Sequence, residues 1–538
     1  MHTWIVGILI FVQLSKYPGD PSTPGEPAYK NATRVEGGNQ PSIPSLPISY
    51  EDAIPILNAL KGHGSPAGNI SEDWVGGLGY YGVEYYTGPS EVELHFVNEV
   101  NTRVMPIWNT MAVIPGHISD EVLVIGNHRD AWVLGAGDPN SGTAAHNEMV
   151  KGFGTLLAKG WKPLRTIVLA SWDAEEYGLI GSTEWAEDFG EWLKEKNAVY
   201  LNVDVAVSGP NFKCEASPSL AWLIRHAAQQ IQSHTDKNGS TSVWDTRLQQ
   251  DETSDDDWKK WRILDDEFER LVEERSETGV KALGSGSDYT AFLQRYGVAS
   301  GDIGYTGGPK SPVYHYHSIY DSFAWQDKYG DPGFHKHVEA TKILGLLSLR
   351  VADSLVLPLN TTQYAIELNY YLDKVLAISQ STETEGPQLN LSSLAKSIHH
   401  LIETSKSLDN ATESQLEELH KLLPPPPPPP HHGHGHEHKC GRFNLKQNFL
   451  KVCAAFGSER CEHALHPKHP KHPRGPELPK KKVEAIKRVL AELRAGNKKR
   501  QAFEGGFISE QGIKVSSTSP LSNLIGMYSC FLILPPRI

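Results

Sequence analysis

Cysteine is scarce in this chain. There are five in 538 residues (Cys214, Cys440, Cys453, Cys461 and Cys530) and none forms a Cys-x-x-Cys pair, so no structural zinc module is in view. Positive charge is also in deficit: 51 Lys and Arg stand against 64 Asp and Glu, a formal net charge of -13. A surface built on phosphate contacts needs the opposite balance, which excludes nucleic acid as the main partner. Basic residues cluster only late, and the run from Lys480 to Arg500 reads as the solvated face of an amphipathic helix. The apolar start at 4–14 and the apolar tail at 521–534 are each shorter than the roughly 20 residues a membrane-spanning helix requires. The start follows Met1 and His2 without a basic flank, and signal peptide, remnant anchor and buried strand are all open readings of it.

What is present is the composition of a folded protein, 39% hydrophobic and 21% charged, long enough for two or three domains. Sequons begin at Asn31, Asn69, Asn238, Asn360, Asn390 and Asn410. Six in one chain fit a glycoprotein of the secretory pathway, whether membrane-associated, vacuolar or extracellular.

From residue 15 to about 89 the chain is rich in Gly, Pro and Tyr, with one helical stretch at 50–60, and reads as part of an accessory domain. From about 92 strands and helices alternate, the pattern of an α/β domain with a largely parallel central sheet. Strands are predicted at 122–126, 166–170 and 199–205, with helices at 141–159 and 182–196 between them. An acidic stretch at 251–274 reads as a surface excursion. Beyond about 335, Ala340, Leu344, Leu347 and Val351 recur at helical spacing. The expected division is 1–91 partial accessory domain, 92–335 catalytic-type domain and 336–538 helical domain. The last contains a low-complexity insertion at 423–482, with a polyproline run and a histidine tract, and an atypical tail at 515–538. His431, His432, His434, His436 and His438 lie in a flexible tract unsuited to a fixed metal geometry, and His146 and Glu148 are expected at the surface.

The chemistry gathers at predicted strand ends, where ligands bind in open α/β sheets. His128 ends the first strand, and Asp138 follows in Gly-Ala-Gly-Asp-Pro-Asn-Ser-Gly. The next strand runs into Ser-Trp-Asp-Ala-Glu175-Glu176, and neighbouring side chains in an extended segment diverge. One glutamate can then ligate metal while the other takes a proton from the attacking water. Asp204 closes the third strand and His317 arrives from far down the chain. Two imidazoles and three carboxylates are enough for two zinc ions if Asp138 bridges them.

Asn127-His-Arg-Asp-Ala-Trp, Gly137-Asp-Pro-Asn-Ser-Gly, the run from Ser171 to Trp185 and Tyr316-His-Ser-Ile-Tyr resemble, in order, the motifs of the glutamate carboxypeptidase II and transferrin receptor family of co-catalytic two-zinc peptidases. The resemblance implies the zinc exopeptidase fold, a mixed and largely parallel α/β sheet flanked by helices. A protease-associated, apical-like accessory domain would precede it and a helical dimerisation domain would follow, with a homodimer in full-length relatives. It also implies a peptide substrate cut as a carboxypeptidase or an aminopeptidase. Asp138 would bridge, His128 and Glu176 would hold one zinc, Asp204 and His317 the other, with Glu175 as base and Tyr316 hydrogen-bonding the tetrahedral intermediate. The receptors share the fold but lack the full ligand set that this chain has, which favours an enzyme over a binding protein.

Two further carry-overs come with departures. Glu184 and Glu187 match a calcium-binding helix start, completed here by Thr23 and Glu26 of Thr-Pro-Gly-Glu where the family has Thr-Pro-Gly-Tyr. Ser285, Gly286 and Ser287 match a substrate-cleft loop, with Ser287 in place of Asn. Asp302 and Gly304 replace arginines that receive acidic substrate groups, so a preference for acidic side chains is not carried over. The match begins abruptly near Tyr17 and is lost in the tail, and the expectation drawn from both ends is a shortened or mis-spliced reading frame, inactive in the alternative reading.

Overall fold

The computed structural model describes residues 18–508 apart from 39–45, 96, 100, 102, 236–239, 253–277, 309, 382–389 and 424–478. The apolar start, most of the acidic stretch, nearly all of the insertion with its proline and histidine tracts, Cys440, Cys453, Cys461, Cys530, Asn238 and the tail lie outside the described residues.

Seven strands build one mixed sheet: β1 (Thr110–Ile114), β2 (Ile118–His128), β3 (Arg165–Trp172), β4 (Asn197–Asn202), β5 (Asn211–Ala216), β6 (Lys281–Ala282) and β7 (Ala299–Thr306). Their order is β1-β3-β2-β4-β7-β5-β6. The four central strands β3, β2, β4 and β7 run parallel, while β1 and β5 join antiparallel at either side. The central strands carry near-continuous apolar runs because both sheet faces are covered. Leu123, Ile125, Ile167, Leu169, Val199 and Leu201 enter one core, and Val122, Val124, Val168, Ala170 and Tyr200 enter the other, the alternation that a period of two residues imposes.

In the N-terminal segment α1 (Tyr50–Asn58) starts where the Ser49 hydroxyl accepts from the Asp52 amide at 3.0 Å, a side-chain cap. One sheet face is covered by α2 (Asn140–Ala158), with α3 (Ile180–Asp188) and α4 (Gly190–Lys196) on the other. The single helix predicted at 182–196 is therefore two. Phe189, at φ -107° and ψ 22°, interrupts it, and Gly190 packs so closely on Tyr296 that a Cβ would lie 2.8 Å from the ring. Then come α5 (Ala221–Gln230), α6 (Val243–Glu252) and α7 (His335–Asp353).

The predicted boundary at 335 assigns α7 to the helical domain, but the structure packs it on the sheet. Ala340, Ile343, Leu344, Leu347 and Val351 share the core of Leu123 and Ile125. His146 is likewise not a surface residue. It is 6% exposed on the inner side of α2, and burial pushes its pKa down to about 4. Helices α8 (Thr361–Ser381), α9 (Ser392–Leu422) and α10 (Lys480–Ala502) form a separate layer. Its small cores join Leu419 to Ile486, Val489, Leu490 and Leu493, and Tyr364 and Leu368 to Ile398. No described helix is long and apolar enough to cross a membrane.

Candidate metal centre

Parallel strands deliver their carboxyl ends to one edge. His128 is the last residue of β2, Asp204 follows β4 by two residues, and the turn after β3 carries Glu175 and Glu176. Asp138 lies just before α2, whose Gly142 approaches the end of β4 so closely that a Cβ would sit 1.9 Å from the Asp204 carbonyl oxygen. Only glycine permits that approach. His317 comes from the loop after β7 with φ +54°, and Ala174, next to Glu175, has φ +56°. Non-glycine residues held in this left-handed region cluster at functional sites.

Among the described residues, two groups bring three or more potential ligand atoms within 4.8 Å of one another: His128, Glu175 and Asp204, and Asp138, Glu176 and His317. His128 Nε2 lies 2.9 Å from Asp204 Oδ1 and 3.3 Å from Asp138 Oδ1. His317 Nε2 lies 3.0 Å from Glu176 Oε2 and 3.3 Å from Asp138 Oδ2. Asp138 thus stands between the imidazoles, one oxygen toward each. The pairing differs from the one the resemblance implied: His128 goes with Asp204, and His317 with Glu176. In the sheet β2 has β3 on one side and β4 on the other, so His128 had two neighbouring strand ends to choose from.

The charge balance around these groups is that of a cation site. Burial, then the neighbouring Asp138, pushes Glu176 up to about 7. Burial raises Asp138 as well, and Glu175 is driven well above the usual carboxylate range by burial and then by Asp204 and Asp288. Burial works to lower the pKa of His128, but Asp204, Asp130 and Asp138 outweigh it and raise it. Asp138 Oδ1 is buried without a hydrogen-bond partner. Crowded carboxylates and an orphaned oxygen are costly unless a cation compensates them. The donor set, imidazole nitrogen and carboxylate oxygen, fits zinc.

Tyr316 is 61% exposed and stacks on His317 with ring centroids 3.6 Å apart. Partial burial and the carboxylates around it, Asp138 foremost, push its pKa up and keep the hydroxyl protonated. The Ser285 hydroxyl and the Gly286 amide both lie 3.3 Å from Thr290 Oγ1. Ser287 is turned inward, and its hydroxyl donates to Asp204 Oδ2 at 2.6 Å.

The expected calcium ligands are only partly assembled. Glu184 accepts from the amides of Asp20 and Ala28, each at 2.6 Å. Arg295 donates both to Glu187 and to the Gly25 carbonyl, while Glu26 is exposed. Burial raises Glu184 to about 7 and Glu187 to about 8. Thr23 Oγ1 and Glu187 Oε2 are buried without partners.

Several residues that hold the centre escape a search for ligand motifs. The Asp130 carboxylate accepts from the amides of Glu175 (3.0 Å) and Glu176 (3.2 Å), and its carbonyl lies 3.0 Å from His128 Nδ1. A carbonyl only accepts, so Nδ1 carries the hydrogen and Nε2 faces the site. Asp321 accepts from the amides of Gly137 (2.6 Å) and Asp138 (3.0 Å) and from the Tyr314 hydroxyl (3.0 Å). Asp130 lies two residues after His128 and Asp321 four after His317. That proximity to a ligand is the signal that could have found them.

Residues 109–262 match the model of peptidase family M28. Over 393 residues the chain is 44% identical to a probable glutamate carboxypeptidase of Arthroderma benhamiae, covering 72% of this chain and 49% of that protein. It is 38% identical to the probable glutamate carboxypeptidase LAMP1 of Arabidopsis thaliana, over 74% of this chain and 52% of that one. It is 34% identical to the aminopeptidase NAALADL1 of Mus musculus, over 73% of this chain and 52% of that one. The chain spans about half the length of these relatives. Through residues 109–262, which carry β1 to β5, the chain resembles peptidase family M28.

Proposed function

We propose that this chain is a zinc-dependent exopeptidase with two zinc ions, one held by His128 and Asp204, the other by Glu176 and His317, and Asp138 shared. When bound, zinc would acidify the attacking water and polarise the scissile carbonyl. The observation that carries the reading is the placement of Glu175. Its carboxylate lies within 4.8 Å of the His128 and Asp204 ligand atoms, buried, and with its pKa raised well above that of a solvated glutamate. A carboxylate made more basic in this way takes a proton from water more readily and returns it to the leaving amine. The protonated Tyr316 hydroxyl, beside His317, donates to the oxygen on which negative charge develops. Trp132 and Tyr177, with ring centroids 4.9 Å apart, give the rim an apolar wall for a peptide side chain.

Glu175→Gln tests the assignment. Zinc content measured by atomic absorption is expected to stay at the wild-type level, while peptide turnover falls by about 100- to 10,000-fold, the usual contribution of a general base. A wild type without stoichiometric zinc would instead favour the receptor-like binding protein. The relatives' names point to opposite polarities, carboxypeptidase and aminopeptidase. A peptide set blocked at either end separates them: a carboxypeptidase cleaves the N-acetylated peptides and rejects the C-amidated ones, and an aminopeptidase does the reverse.

The same reading includes calcium at Thr23 and Glu187, supported by their unpartnered oxygens, with a rise in Tm on adding calcium as its test. It includes a homodimer, tested by light scattering. It also includes glycosylation in a secretory or vacuolar route, supported by the exposure of Asn31, Asn69, Asn390 and Asn410.

A further inference from the structure

Ser287 is 5% exposed and lies within hydrogen-bond reach of Asp204 of the proposed metal centre. A hydroxyl has one hydrogen, and that of Ser287 goes to Asp204 Oδ2 at 2.6 Å. The other carboxylate oxygen, Oδ1, faces His128 Nε2 at 2.9 Å. In return the Ser287 oxygen accepts from Asn202 Nδ2 at 3.1 Å.

Asn202 is buried and its side chain is satisfied in the same way. Its amide nitrogen also lies 2.9 Å from Asp302 Oδ1, and its carbonyl accepts from the Tyr200 hydroxyl at 3.1 Å. Tyr200 in turn accepts from the Trp172 indole at 2.9 Å. The members come from β3, β4, β7 and the loop after β6, so the relay is anchored in the sheet.

We infer that Ser287 is a positioning residue for the metal ligand Asp204, held in place through Asn202 by this buried relay, and that it makes no contact with substrate. A carboxylate with one oxygen hydrogen-bonded presents the other in a single orientation, and partners of this kind fix ligand geometry and strengthen metal binding. The serine is suited to this role by its size: its short side chain reaches Asp204 while staying out of the cleft. The inference rests on the proposed two-zinc centre.

The test uses the full chain, stripped of metal and titrated calorimetrically with zinc, and with cobalt to record the visible spectrum of the bound ion. Wild type is expected to take up two ions. Ser287→Ala is expected to weaken one of them by about 10- to 100-fold and to change the cobalt spectrum. At saturating zinc, kcat should fall while KM stays unchanged. Asn202→Ala, whose side chain is linked to the Asp204 carboxylate through Ser287, should produce the same change in smaller degree, with far-UV and near-UV circular dichroism like wild type in both variants. Wild-type zinc affinity in Ser287→Ala together with a raised KM would overturn the inference and return Ser287 to the substrate. A wild type that binds no zinc would sink the proposed function and this inference together.

Discussion

Asp321 uses both carboxylate oxygens to hold the loop that presents Asp138, the proposed shared ligand. Asparagine in its place would keep the shape but turn an amide N–H toward a backbone N–H. Because Asp138 stands between both imidazoles, Asp321→Asn should weaken both zinc ions, by about 10-fold or more, where loss of Ser287 affects one. A zinc titration showing two unaltered steps would refute this. At this scale the sequence was informative about identity and less so about partnership. Histidines and carboxylates at successive strand ends are visible as residue types in a pattern, so His128, Asp138, Glu176, Asp204 and His317 could be named. Which imidazole meets which carboxylate depends on strand order, and the order β3-β2-β4 is set by packing over long sequence separation. The part played by Ser287 was hidden for a related reason: a small polar residue in a loop looks the same in sequence whether or not its hydroxyl is turned to a buried carboxylate.

Among the elements, the clearest new coupling is between the end of α10 and the junction of β5 with α5. Glu504 is buried there and accepts from the hydroxyls of Ser217 (2.6 Å) and Ser219 (2.5 Å). Burial, only partly offset by the two serines, pushes its pKa up to about 7. An unfolded glutamate titrates near 4.3, so between those two values the folded chain binds the extra proton. Stability from this group is therefore fully present below about pH 4 and is lost as pH rises through about 7, an effect on the order of 3 kcal/mol. Tm measured from pH 5 to 8 should decline less steeply in Glu504→Gln than in wild type, and parallel profiles would exclude Glu504 as the source. Apolar spacing revealed α7 as a helix and amphipathic character revealed α10, because each has an apolar face. It did not reveal where α7 docks, since an apolar stripe looks the same against a sheet or another helix. Nor did it show the break at Phe189, which is set by the contact of Gly190 with Tyr296.

The layers of the whole molecule meet at an ion pair that is entirely buried. Glu121 of β2 and Arg165 of β3 are both 0% exposed and 2.8 Å apart. Arg165 also donates to the Val351 carbonyl at the end of α7 at 2.8 Å. Asn497 of α10 lies 3.4 Å from Glu121 Oε2 and donates to the Leu355 carbonyl at 3.0 Å, while its own carbonyl accepts from the Leu357 amide at 2.9 Å. Sheet, α7 and the C-terminal layer thus share one polar junction, which is why a domain boundary drawn at 335 from the onset of helical spacing falls inside a packed unit. Sequence gave no sign of it, because Glu121 and Arg165 read as ordinary charged strand residues until both are buried. Removing one partner leaves the other charge unpaired in the interior, so Arg165→Ala should cost about 3–5 kcal/mol in urea unfolding. The paired replacement Glu121→Leu with Arg165→Met removes both charges at similar volume and should recover most of that loss. Asn497 would still hold Leu355 and Leu357, so the C-terminal layer should stay docked in the double variant and unfold in the same transition as the sheet. Two separate transitions in that variant would mean that the ion pair, and not the apolar contacts around it, couples the layers.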